Sequence, residues 1–520
     1  LLSQVDHPLV PKLIEFQRIG RQAIMVMERV PGLDLEKFVL QRGPLSPRLL
    51  VHIAAQLADI LGALRGASVR SQRPLVHGDI KPSNIVFDPL TEQIGLIDWG
   101  SSVFAQLDEN YQHVSVNVME LMSDDLQHSN ARLGDVYFIG DEQLNGGLST
   151  PRFDEQGAAG TLYALASGQS SRFGHHAIPP TSLGLPQELA RIMDRLLDTD
   201  PAVRNQAGDY WLRNMPSISR LMLIELPKVP LQPLVPVWVQ PQTRVMDSVV
   251  YSSRKAFLKE GGVDNQNMDI DDVQFDRYYK NFLHGMGDTE KAFLAAVSRL
   301  GKFPVVGGLA VRWEAEGVYI DSSLNLYNPE QQEAFVATVN NLVNLARAVY
   351  RKGIFKSCLF DARCTLHVER ENSEQEFIPA PGQRIPYEVA AVPDLEEKSR
   401  LHSYFEDGRD PEENLELPAT IIAAIKQLNR LHHTGLIIFE SMELHLKIHS
   451  QFKLLNPEQE AEFSTCLQQI MSAIPQIRGL GVAGFMKMPY KDTRFFSHID
   501  RQPERYYPRN PKQGQNGGRH

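Results

Sequence analysis

The chain has 520 residues, 42% hydrophobic and 22% charged, with 53 Lys plus Arg against 63 Asp plus Glu and a formal charge of -10. That apolar share can fill real cores, which excludes a wholly disordered chain, and the length fits two to four domains at about 100–200 residues each. The acidic balance lacks the basic footprint of a nucleic-acid binder, so no nucleic-acid partner is expected. Three cysteines, Cys358, Cys364 and Cys466, are too few for a disulfide framework and point to a reducing, cytoplasmic setting. The Cys358/Cys364 spacing fits no usual zinc pattern. No apolar run of about 18 residues is read, so no membrane span is expected. The chain opens Leu1-Leu2-Ser3 without the charged region and cleavage site of a signal peptide.

In chain order, the first clear element is helical. Leu50, Ile53, Ala54, Leu57, Ile60 and Leu61 share one face over Arg48–Arg65. Two β-like runs, 85–87 and 94–97, flank an Asp88-Pro89 turn and predict a hairpin. A second amphipathic helix is expected over Gln187–Asp198. Prolines at 227, 230, 233 and 236 recur every third residue, the polyproline II repeat. They predict a stiff linker, with a strapping or partner-docking role for Val235, Val237 and Trp238 as the alternative.

Beyond that seam the sequence repeats itself. Asn328-Pro-Glu-Gln-Gln-Glu-Ala-Phe335 returns as Asn456-Pro-Glu-Gln-Glu-Ala-Glu-Phe463. Two strand-like runs precede each copy, 308–313 with 318–321 and 435–440 with 444–449, and each pair follows an Ala-rich helical stretch. Asn caps, Pro fits the first turn and Glu complements the dipole, so each copy opens a helix. The unit reads helix–strand–strand–helix–strand, twice. Acidic residues 369–416 between the copies read as a mobile connection, and 499–520 as a disordered tail.

The segment that carries chemistry is His77-Gly78-Asp79-Ile80-Lys81-Pro82-Ser83-Asn84, followed by Asp98-Trp99-Gly100. The predicted hairpin brings Asp98 beside Asn84. A carboxylate with an amide oxygen suits Mg²⁺, a nearby lysine can neutralise a phosphate, and Asp79 remains to orient a hydroxyl. Those are the parts of a phosphoryl-transfer site. His77 is expected to pack beneath the loop. His175-His176, His432-His433 and the His445/His449 pair are read as non-ligands, since consecutive side chains do not face together and strand histidines favour solvent.

These residues resemble the eukaryotic-like (Hanks-type) Ser/Thr protein kinase family, whose catalytic loop is H-x-D-x-K-x-x-N and whose metal motif is D-F-G. The resemblance covers about residues 1–215. It implies an α+β, protein-kinase-like fold with a mostly helical C-lobe and remnant N-lobe strands, followed by the tandem α+β repeat. Residues 7–13 look like the turn into the fourth N-lobe strand, and 24–32 like the fifth strand and hinge. The resemblance then implies Met27 as gatekeeper, main-chain groups of Glu28 and Val30 on adenine, and Asp34 on ribose. It implies Asp79 and Lys81 as catalytic, and Asn84 and Asp98 as ligands of the Mg²⁺ that accompanies ATP. Gly140-Asp141-Glu142 stands where the family has A-P-E, Asp154 is the buried acid of the central helix, and a buried Glu142–Arg204 ion pair is expected.

Departures shape the expectation. The Gly-rich loop and third-strand Lys do not appear in order, and the ion-pair Glu would fall just before Leu1. Their contiguity favours truncation, so the intact protein is expected to be active and residues 1–520 alone to be inactive and to bind Mg-ATP weakly. Gly78 replaces the usual Arg, and Trp99 the usual Phe. The expected organisation is a kinase-like domain at 1–222, a Pro-rich linker at 223–243, an α+β unit at 244–368, an acidic linker at 369–416, a second unit at 417–498 and the tail. The function expected is transfer of the ATP γ-phosphoryl group to a protein hydroxyl. The repeats or the Pro-rich segment would serve regulation, targeting or a protein partner. The alternatives are a pseudokinase scaffold and a small-molecule kinase.

Overall fold

The computed structural model describes residues 1–19, 22–66, 73–114, 134–220, 223, 230–252, 286–390, 401–403, 415–489 and 493–499. The chain divides into two compact units, Leu1–Leu231 with Ile270–Ala296 and Gln232–Asp269 with Val297–His520.

The first unit opens with an antiparallel pair, β1 (Leu13–Ile19) and β2 (Gln22–Met27), in the register Phe16↔Met25. A short strand, β3 (Leu33–Asp34), leads into α1 (Leu35–Arg42). Asp34 caps that helix by accepting from Lys37 N at 2.8 Å, and Gly43, at φ 79, ends it. The long α2 (Pro47–Gly66) follows, and Leu50, Ile53, Ala54, Leu57, Ile60, Leu61 and Leu64 along it are buried. Burying such side chains stabilises by about 1.5–3 kcal/mol each. The sequence reading missed one property of α2: by length and composition it could cross a bilayer. In the structure its apolar face lies in the core of this unit.

Strands β4 (Leu75–Val76), β5 (Ile85–Asp88), β6 (Gln93–Leu96) and β7 (Val103–Phe104) follow α2. The expected hairpin is present: β5 pairs β6 as Ile85↔Leu96, and β4 pairs β7. Its turn is built by Asp88, which accepts from Leu90 N at 3.0 Å and from the Thr91 hydroxyl at 2.8 Å. Helices α3 (Asp141–Leu144), α4 (Arg152–Ser167), α5 (Gln187–Leu196) and α6 (Pro201–Ile218) complete the unit. Nearly every residue of α4 is buried, its charged first turn included. Those charges are paired, as burial demands. Arg152 meets Glu155 at 2.9 Å and Asp209 at 3.0 Å, and Arg65 meets Asp209 at 3.1 Å and also Glu155. This network ties α2, α4 and α6 together and carries no signature in the sequence.

The second unit contains β8 (Val237–Val239), β9 (Ser248–Ser252), β10 (Val305–Trp313), β11 (Gly317–Ser322), β12 (Leu324–Leu326) and β13 (Gly353–Asp361). The division between units falls within α7 (Asp288–Leu300), and α8 (Gln332–Ala348) connects β12 to β13. Next come β14 (Leu366–Glu369), β15 (Glu388–Val389), β16 (Leu401–Ser403), α9 (Ala419–Arg430), β17 (His433–Ser441), β18 (His445–Leu454), α10 (Glu460–Ala473), β19 (Gly481–Pro489) and β20 (Arg494–Ser497). Strand β10 lies between β11 and β13, and β17 lies between β18 and β19, all antiparallel. Both sheets therefore place the first strand of a hairpin at the centre. The sheets share a core: Ala310, Cys358 and Phe360 cluster with Ile437, Phe485 and Met486. The approach is close enough that a Cβ on Gly308 would lie 2.6 Å from Met486 Sδ. Leu436, Ile437, Ile438 and Phe439 are all buried, so β17 is covered on both faces.

Three segments differ from the sequence reading. The Pro-rich linker is, from Gln232 onward, a strap on this unit. Asn340 accepts from Leu234 N at 2.8 Å and donates to Gln232 O at 2.9 Å, and Val235 is buried. The strap ends as β8, parallel to β12. Polyproline backbone has no internal hydrogen bonds, so it takes partners from a neighbour. The acidic connection 369–416, expected to be mobile, is anchored along its described residues: Phe377 and Ile385 are buried, Arg370 lies 4.2 Å over the Phe377 ring, and β15 pairs β18. Its apolar anchors are too sparse for a periodic signal. Residues 391–400 and 404–414 lie outside the described residues, as do 500–520 of the expected tail. Finally, residues assigned to the end of the second α+β unit form β20, which pairs with β11.

Candidate active site

The chemistry-bearing loop runs from β4 to β5, above the N-terminus of α4. Asp154 holds it from below, accepting from His77 N at 2.7 Å and Gly78 N at 2.8 Å. Burial pushes Asp154 up to about 7, while the two N–H bonds pull the other way. Gly78 has φ 82, a left-handed conformation that glycine adopts without strain. Its carbonyl accepts from Gln143 Nε2 at 2.7 Å.

His77 is fully buried, with Nε2 3.0 Å from Ile97 O and Nδ1 accepting from Asp79 N at 3.3 Å. Burial drops it to about 4, so it is a neutral ring with its proton on Nε2. Its edge meets the Trp99 ring at 4.8 Å, and Trp99 Nε1 donates to Leu96 O at 3.0 Å. The larger aromatic is thus accommodated in the core with its polar atom satisfied.

Asp79 is 6% exposed. Its carboxylate accepts from Asp135 N at 2.9 Å and from Asn84 Nδ2 at 3.0 Å, and pairs with Lys81 Nζ at 2.8 Å. Burial works against the Lys81 ammonium, but the Asp79 pair outweighs it and the pKa is raised. Asn84 Nδ2 also donates to Asp79 O at 2.8 Å, so the amide is oriented by its nitrogen and its oxygen is left for another partner. Ile97 N donates to Asn84 O at 2.9 Å, which places Asp98 one residue beyond Asn84's partner, as the hairpin argument required. Asp98 is exposed and left-handed, at φ 61. Val30 packs on this hairpin, since a Cβ on Gly95 would lie 2.5 Å from a Val30 methyl.

The protein kinase domain family model matches residues 1–207. Residues 1–207 are thus similar to a protein kinase domain. The chain is 29% identical over 176 residues to the serine/threonine-protein kinase PrkC of Bacillus subtilis, covering 34% of this chain and 24% of that protein. It is 24% identical over 219 residues to the serine/threonine-protein kinase PkaA of Streptomyces coelicolor, covering 40% of this chain and 36% of that protein. The chain thus spans only about a quarter to a third of these curated relatives. Among solved structures, the Cydia pomonella granulovirus kinase PK-1 aligns at 16% identity over 41% of this chain and 77% of its own, with a TM-score of 0.30.

Within the kinase domain, the expected Glu142–Arg204 pair is present at 2.6 Å, but Glu142 is 35% exposed, so the pair is only partly buried. Met27 is half-buried at the end of β2, and Asp34 is engaged as the cap of α1. Two contributors were missed. Asp135 holds Asp79 through its main-chain N–H, and Gln143 holds Gly78. Backbone donors carry no sequence signature, and Gln143 follows the Gly140-Asp141-Glu142 motif without a pattern of its own. The His175 and His176 rings, read as divergent, lie 3.7 Å apart and tilted by 40° in the 3-10 turn at Arg172–His176.

Proposed function

We propose that the protein transfers the γ-phosphoryl group of Mg-ATP to a Ser or Thr hydroxyl of a protein substrate. The observation that carries this reading is the Asp79 carboxylate, held by a main-chain N–H, an amide and Lys81 in the β4–β5 loop. A carboxylate so fixed can orient a substrate hydroxyl and receive its proton, while Lys81 stabilises charge on the transferring group. The Asn84 amide oxygen and the exposed Asp98 carboxylate are hard donors, and their chemistry fits Mg²⁺. Bound Mg²⁺ supplies neutralisation of phosphate charge. Adenine would meet main-chain groups of Glu28 and Val30 beside Met27. Glu28 N already donates to Lys12 O at 2.9 Å, so its carbonyl is the group left for the base. A ribose contact by Asp34 would share a carboxylate that already caps α1.

The C-terminal unit supports a regulatory or targeting module built from an internal repeat. Both copies have a helix, a hairpin, a second helix and a further strand, the first copy adding the short β12 before its second helix, and both have the same central strand and the same Asn-Pro-Glu helix start. A scaffold reading is favoured by one feature: Ile14, Phe16, Ile24 and Val26 on β1 and β2 are exposed apolar side chains available to a partner.

The test is Asp79→Asn in the longest natural chain containing residues 1–520, with phosphotransfer followed by mass spectrometry. A loss of about 100-fold or more is expected, with folding and Mg-ATP binding retained. No transfer by the wild type, or a loss under about tenfold, overturns the reading in favour of a scaffold.

A further inference from the structure

Away from the kinase domain, strand pairing assembles a group of side chains with no assigned role. In the β14–β18 pair, Glu369 stands opposite His445 and His367 opposite Lys447. Paired residues and residues two apart share a face, so His367, Glu369 and His445 project from the same side. His367 Nδ1 lies 3.8 Å and His445 Nδ1 3.7 Å from the same oxygen, Glu369 Oε1. All three ligand atoms lie within 4.8 Å of one another. The contacts to Glu369 are too long for hydrogen bonds. His445 Nδ1 is nonetheless shielded from solvent and has no hydrogen-bond partner among the described residues, although its ring is 43% exposed. A shielded nitrogen aimed at a carboxylate it does not bond asks for a bridging atom.

We propose that His367, Glu369 and His445 form a binding site for a divalent metal of the zinc class that clips the edge strand β14 to β18. Two imidazoles and one carboxylate are a zinc donor set, and tetrahedral bonds of 2.0–2.1 Å put donor atoms about 3.3 Å apart, within a small side-chain rotation of the present spacing. The exposure of the three side chains leaves the remaining coordination positions to water. Lys447 shares the face, but its ammonium pairs with Glu440 at 3.8 Å. The metal would fasten the start of the connection between the two α+β units, where β14 otherwise rests on one ladder as an edge strand.

The test is titration of the full chain with Zn²⁺ by calorimetry and with Co²⁺ by visible absorption. One ion per chain is expected, with a tetrahedral Co²⁺ band and a rise in melting temperature as Zn²⁺ is added. His445→Ala and Glu369→Gln should each weaken binding by about 10- to 100-fold or more, while His176→Ala leaves it unchanged. Glu369→Gln keeps shape and length, so its effect does not hinge on refolding. Absence of Zn²⁺ binding by the wild type, an effect of both site variants under about threefold, or loss in His176→Ala overturns the proposal.

Discussion

In the kinase unit, His77, Asp79, Asn84 and Asp154 are all buried, and all are hydrogen-bonded within one loop and the helix turn beneath it. In the C-terminal unit one buried group converges with others, since His449, expected on a solvent face, is buried between the Thr365 hydroxyl at 2.8 Å and the Tyr251 hydroxyl at 3.0 Å, while the remaining buried polar groups are more dispersed. Ser322 donates to Pro236 O at 2.8 Å, Lys487 donates to Asn429 O and Leu431 O at 2.6 and 2.7 Å, and His433 lies among the rings of Phe452, Phe463 and Phe485. The difference separates two uses of the same costly groups. Converging, they fix the atoms of a reaction site; dispersed, they fasten straps, helix ends and strands around an apolar core.

The sharpest way to break this comparison is Asp154→Ala. It leaves the N–H groups of His77 and Gly78 buried without an acceptor, at about 1–3 kcal/mol each. Hydrogen exchange read by mass spectrometry should show residues 75–85 opening by a few kcal/mol while β17–β19 keep their protection. Equal loosening of both units would mean that Asp154 supports the whole chain and not one loop.

Acid offers a second, smaller contrast. Burial holds His77 at about 4, and burial with the nearby Lys487 charge holds His433 at about 3. As pH falls through 6.5 the unfolded chain takes up a proton that the folded chain refuses, so stability is full above 6.5 and declines below it. By pH 5 the C-terminal unit should lose about 2 kcal/mol, measured as unit-resolved opening energies at pH 7 and pH 5. In the kinase unit proton uptake by Asp154, raised to about 7, offsets the loss from His77. His433→Phe should flatten the decline in the C-terminal unit alone. If it also changes the pH profile of the kinase unit, the units do not unfold separately.

The same contrast explains what could be read from the sequence. The kinase motifs were legible because a reaction needs particular side chains at fixed spacing, and the loop 77–84 and Asp98 hold that spacing in the fold. The β5–β6 hairpin and the Asn-Pro-Glu helix starts were legible because turn and cap chemistry is local. The Arg65–Arg152–Glu155–Asp209 network, the hold of Asp135 on Asp79 and the strap on Asn340 were not, because each joins residues distant in sequence through geometry that only packing supplies. The His367–Glu369–His445 cluster carries no spacing signal for the same reason: Glu369 and His445 meet only across the β14–β18 pair.

The smallest effect concerns the two helix starts. Asn328 accepts from Glu330 N at 3.1 Å and Asn456 from Glu458 N at 3.3 Å, each closing a 3-10 turn ahead of α8 and α10. Replacing either by Ala should cost about 1 kcal/mol in urea unfolding, and Asn→Asp should cost far less because it keeps the acceptor. The two caps share no partner, so their losses should add to within about 0.5 kcal/mol if the copies respond independently. The sheets that follow them share one core, however, through Ala310 and Phe360 against Ile437 and Phe485. A double variant that loses markedly more than the sum would therefore show that a local defect in one copy is felt by the other through that core, and that the dispersed polar groups of this unit act together after all.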